Sequence, residues 1–149
     1  MTNLVNATGA AKPNESLLSD RRLTRGIGYG LSTLVVLFLL MDAVMKLMAM
    51  GVVMQAMGEL GWPHSEGLAR GLGLLLLICT LLYCFPRTSV LGAVLLTAFL
   101  GGAVATHVRA GTPLFTHQLF GVYLGLFVWA GLYLREPRLR ALFPLRTIV

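Results

Sequence analysis

Apolar residues gather in four long runs along this chain, and polar residues cluster at the breaks between them. A hydrocarbon core of about 30 Å takes about 20 helical residues to cross. The runs at 26–50, 68–84, 89–106 and 114–134 are therefore predicted to be spanning helices. The second and third are short and are joined by "FPRTS", where Pro86 stops the helix, so they form an antiparallel hairpin. Between the first and second runs lies "VVMQAMGEL". Val52, Val53, Ala56, Met57 and Leu60 fall on one helical face there, with Gln55 and Glu59 on the other. This pattern predicts a short amphipathic helix lying in the membrane interface, ended by "GWP" at 61–63. The expected fold is an all-α integral membrane four-helix bundle over 26–134. Residues 1–25 are polar and without period, which reads as a disordered cytoplasmic tail. Residues 135–149 read as a basic cytoplasmic tail. "DRRLTR" before the first run raises a cleaved leader as a rival, but the run is too long for one and no small-x-small site follows, so it is expected to remain as an anchor.

Composition agrees with the pattern. Of 149 residues, 56% are hydrophobic and 12% charged, half the charged share of about 25% in soluble domains. A net charge of +6 would suit nucleic acid, but the basic residues sit at the ends of apolar runs and no aromatic-interleaved basic surface appears, so nucleic acid is not an expected partner. With both termini cytoplasmic, Lys12, Arg21, Arg22, Arg25, Arg87, Arg135, Arg138, Arg140 and Arg146 all fall inside. Lys46, Arg70 and Arg109 fall outside. The positive-inside rule favours that orientation. Tyr29, Tyr83, Trp129 and Tyr133 would then mark the inner interface and Trp62 the outer one.

One stretch breaks the apolar pattern. "MDAVMK", residues 41–46, places a carboxylate and an ammonium in the first span. Counted from Gly26, Asp42 stands about 24 Å along the helix, in the outer third of the bilayer. Lys46 follows one turn on, in the favourable i, i+4 order for an ion pair. Charges at such depth are expensive, so both should face the bundle. They either lock the first helix to its neighbours or line a polar pocket that opens outward. Glu59, His64, Arg70, His107, Arg109 and His117 all fall toward the same end. No chain of carboxylates or histidines crosses the membrane, which argues against a proton pump or an ion channel.

Weaker signals have ordinary readings beside their chemical ones. Met41, Met45 and Met48, then Met50, Met54 and Met57, recur at helical spacing. Such thioethers could bind Cu(I), but more often they pack. His107 and His117 flank the third loop without a recognisable ligand frame, and no metal site is expected. Cys79 and Cys84 are badly spaced for a disulfide and read as small buried hydrophobes. Thr97, Ala98, Gly101, Gly102 and Ala105 form a small-residue stripe that predicts close helix approach. No nucleophile triad, phosphate loop or metalloprotease motif appears, so no catalytic residue is named.

Four stretches, "LFLLMDAVMKL", "LARGLGLLLL", "PRTSVLGAVLLTAFLGGAVATHVRAGTPLF" and "LYLREPRLRALFPLR", carry a resemblance to a known family. Over nearly everything after the N-terminal tail, the chain resembles the DoxX-like family of small four-helix bacterial membrane proteins. The resemblance implies a multi-pass protein of the bacterial inner membrane. The wider family is named for a small subunit associated with a thiosulfate:quinone oxidoreductase, and other relatives are linked to membrane redox complexes. By match, Asp42, Lys46, Arg70, His107 and Arg109 belong to the family pattern. Members often carry a Glu mid-way along the second helix, where this chain has Leu76, and its absence weighs against a redox reading. The expectation is an accessory subunit of a quinone-linked redox system, with those five residues as ligand-binding candidates. Quinone would be a bound ligand, and the redox cofactor would belong to a partner protein, since this chain shows no flavin, haem or cluster motif. A non-enzymatic scaffold or assembly factor, associating through glycine-rich helix faces, stays open beside it. So, more weakly, does a small-solute transporter, which no internal inverted repeat supports.

Overall fold

A computed structural model of the chain describes residues 13–142, with side chains over 22–139. The helices are α1 (Pro13–Leu47), α2 (Gly51–Glu59), α3 (Glu66–Cys84), α4 (Ser89–Arg109), α5 (Phe120–Arg135) and α6 (Pro137–Leu142), with a π-helical turn at Leu114–Gln118 before α5. Among the described residues, four stretches are long and apolar enough to cross a membrane: Arg22–Leu47, Glu66–Cys84, Ser89–Arg109 and Leu114–Arg135. They close a ring in which α1 and α4 each pack on both α3 and α5. The fold is an all-α, membrane-spanning four-helix bundle.

Its two ends differ. Gly28 lies against Leu134 and Arg135, so the start of the first span and the end of α5 share one end of the bundle, together with the α3–α4 turn. We call this the basal end. The opposite, apical end carries α2 and the α4–α5 loop.

Each spanning helix buries one stripe and turns the rest to lipid. On α1, Ser32, Val35, Leu39 and Ala43 are buried, while Leu34, Leu37, Met41, Val44 and Met48 are exposed at steps of three and four. Met41 and Met48 thus face outward, whereas Met57 is buried and Met45 and Met54 pack beside it against Ala69. The methionine stripe is divided between lipid and packing.

Two apolar-looking positions behave differently from expectation. Tyr83 is not an interfacial residue: it is fully buried in the basal core, donates to the Val128 carbonyl at 2.9 Å and stands 3.0 Å from Ser32 Oγ. Arg135 covers its ring, 4.5 Å from the centroid, and donates to its backbone carbonyl. A buried phenol needs its hydroxyl satisfied, and three helices join to do it. Cys79 is buried as expected, but Cys84 is exposed, because it sits one residue beyond Tyr83 on the next side of α3; both thiols are free.

Close helix approach falls elsewhere than on the predicted stripe. A Cβ on Gly92 would lie 2.2 Å from the Tyr83 nitrogen, and one on Gly131 would lie 2.6 Å from Ser32 Oγ. Gly73 meets α1 and Gly121 meets α4 in the same way. Gly101 and Gly102 meet nothing within 4 Å, and Thr97, Ala98 and Ala105 are exposed. Of the stripe only Thr97 has a partner on a neighbouring helix, accepting from Trp129 Nε1 at 2.9 Å, and no close backbone approach falls on it.

Helix ends also depart from expectation. The first span ends at Leu47, not Met50. The Met50 nitrogen bonds to the Met45 carbonyl and the Ala49 nitrogen to the Lys46 carbonyl. That is a Schellman closure, with Ala49 in the left-handed position at φ 47°. The same closure ends α2 at Gly61 and α4 at Gly111. At the other extreme α1 starts at Pro13, so residues 13–25 are helical where disorder was predicted. Proline needs no N–H at a first helical position, and extending a formed helix is far easier than nucleating one. Within the basic tail, α6 forms and buries Leu139 against the core. The rest of both predicted tails, 1–12 and 143–149, lies outside the described residues.

Candidate functional site: an amphiphilic cavity at the apical end

The apical half of the bundle is hollow. A cavity of about 550 Å³ is enclosed by α1, α4, α5 and the π-helical turn, with Leu72 as the contribution of α3. Phe38, Leu39, Phe99, Leu100, Phe120 and Leu124 make its apolar wall. Phe38 and Phe120 meet edge to face at 5.3 Å, closing the α1–α5 side. Met57, Leu60 and Trp62 form a roof. The amphipathic helix α2 holds that roof by burying Val53 and Met57 against α3, while Val52 and Ala56 of its predicted apolar face stay exposed.

The polar lining is small and sits at the top. Asp42 and Lys46 pair on α1 as expected, and both reach the cavity. Their side chains keep 32% and 20% of their surface exposed, so the pair is partly desolvated rather than fully buried. His107 and His117 also line the cavity, their ring centroids 5.9 Å apart. His107 contacts Thr112 through Nδ1 at 3.2 Å, and His117 contacts Thr116 through Nδ1 at 2.7 Å. Thr106 completes the set.

Three of the five candidate residues therefore meet in one place, and two do not. Arg70 is exposed on α3 and pairs with Glu66 one turn earlier at 2.9 Å. Arg109 donates to the Leu60 carbonyl at 2.8 Å and lies over Gly61, clasping the roof to the end of α4. Of the other lining residues, Trp62, Thr106 and His117 carry polar groups that the ligand set omits. His117 enters through the π-helical turn, where Gln118 and Leu119 donate to carbonyls five residues back. Such a turn shifts side-chain phase by one position, which no apolar period reveals. No group of three or more His, Cys, Asp or Glu that could hold a metal occurs among the described residues.

The cavity has a side opening. Gly92, Leu96, Phe99, Ala103 and Thr106 follow on one face of α4. Gly92 is jammed against Tyr83 at the basal end, whereas Phe99, Ala103 and Thr106 line the cavity. Ala98 and Gly102 both line the cavity and are exposed. The cavity therefore opens to the outer side of α4 through a gap past Ala98 and Gly102.

The family model described as the DoxX-like family matches residues 30–131, which include every residue named in this cavity. The chain belongs to the DoxX-like family. Comparison with curated proteins gives no match, and comparison with solved structures gives none. In this DoxX-like chain, Leu76 is fully buried in the core one turn below Leu72, so no carboxylate stands beneath the cavity at that position.

Proposed function

We propose that this DoxX-like membrane protein binds a quinone, taken up sideways from the bilayer, and presents its head group to a redox partner that carries the electron-transfer cofactor. The observation that carries the reading is the two-part lining of one cavity. A few polar groups gather at its apical end, an aromatic and aliphatic wall makes up the rest, and a lateral gap faces lipid. A ligand with a small polar head and an apolar tail matches all three features. The volume lies within the range of about 300–1,000 Å³ usual for small-molecule sites. Lys46 has ammonium protons beyond the one it gives Asp42, and these are free to bind a head-group oxygen. The basal end carries Arg22, Arg25, Arg87, Arg135 and Arg138, which supports cytoplasmic chain ends and an outward-facing cavity in a bacterial inner membrane.

A scaffold role is the second reading, favoured by one observation: the Asp42–Lys46 pair closes within a single helix and so can be satisfied without any ligand. Trp62 separates the two. A short-tailed benzoquinone titrated into protein in lipid nanodiscs should quench Trp62 saturably, with the saturable part lost in Trp62→Phe and weakened about tenfold or more in Asp42→Asn. Quenching that is linear in every variant would leave the scaffold.

A further inference from the structure

The closure that ends α4 sets Thr112 against one cavity histidine. Gly111 takes the left-handed conformation, φ 66°, which turns the chain back so that the Thr112 nitrogen bonds to the His107 carbonyl. The Thr112 side chain is thereby held beside the same residue. Its Oγ1 donates to the His107 carbonyl at 3.2 Å and stands 3.2 Å from His107 Nδ1. A hydroxyl has one proton, and a carbonyl can only accept. Both contacts are satisfied together only when Nδ1–H donates to Thr112 Oγ1. The proton of the neutral ring is then on Nδ1, and Nε2 carries a lone pair. His107 lines the cavity and Thr112 does not, and with Nδ1 engaged by Thr112 the ring nitrogen left to a ligand is the acceptor Nε2.

The polar lining then has a definite character. Lys46 offers protons, while His107 Nε2 and the carboxylate of Asp42 offer lone pairs. Thr106 gives its proton to the Gly102 carbonyl and likewise has lone pairs to offer. His117 has no such lock, because Thr116 Oγ1 makes one contact with it and can give or take the proton. A quinone oxygen only accepts: it suits Lys46 and opposes His107. A hydroquinone hydroxyl both donates and accepts, and it suits both.

Resting on the quinone reading, we infer that the cavity selects the reduced, hydroxyl-headed form of its ligand, and that Thr112 is the positioning residue that sets this preference through His107. The test is isothermal titration of full-length protein in nanodiscs, without oxygen, using a short-tailed benzoquinone and its hydroquinone as the two probes. The hydroquinone should bind about tenfold tighter than the quinone. Thr112→Val frees the ring to place its proton on Nε2, so it should erase the preference chiefly by improving quinone binding. Thr112→Ser should keep it. Equal or tighter quinone binding by the native chain, or a preference untouched in Thr112→Val, overturns this inference and leaves quinone binding standing. Binding of neither probe overturns both.

Discussion

At the scale of single residues, the apical end is shaped by backbone closures. Gly61 and Gly111 occupy left-handed positions at no steric cost, but Ala49 does so with a Cβ. Ala49→Gly is expected to stabilise the folded chain by about 0.5–1 kcal/mol, seen as a higher melting temperature in detergent; a lower one would contradict the Schellman closure of α1. The sequence around it, "LMAMG", holds no Pro and its only Gly is at 51, so the end at Leu47 had no local signal. The ion pair was legible because two charges four residues apart in an apolar run have few other uses. Tyr83 was not, because a tyrosine near a helix end reads equally as interfacial. Only the partners Ser32 and Val128, 51 and 45 residues away, decide it.

At the scale of elements, hydropathy located the four spans and α2 to within a few residues at most ends, because lipid imposes length on each run. Glycine counting was a poorer guide. Gly92 and Gly131 separate helix axes by nothing more than backbone, yet they stand alone in their runs, whereas the conspicuous Gly101–Gly102 pair touches no neighbour. Gly102 instead borders the gap through which the cavity opens. Gly102→Phe should plug the gap while α4 stays folded, since open space surrounds the site. Uptake of a long-tailed quinone from nanodisc lipid should slow about tenfold or more, with the melting temperature changed little. Unchanged uptake would place the ligand's route elsewhere, through the roof that Arg109 holds to α4.

At the scale of the whole molecule, the bundle is tight at one end and hollow at the other. A buried hydroxyl node and an arginine-capped tyrosine fix the basal half, and this leaves the apical half free to hold a cavity without loosening the fold. Which end gathers polar groups was readable from the placement of Asp42, Lys46 and His107. The exclusion of Arg70 and Arg109 from the cavity was not, because a helix phase and a loop path decide where long side chains reach. The central claim is that this hollow holds one kind of lipid-soluble molecule by its polar head. Mass spectrometry of gently purified protein, native beside Asp42→Asn, tests it most directly. The account predicts a quinone retained by the native chain and lost from the variant. Bulk phospholipid alone in both would contradict it and make "MDAVMK" a structural clamp.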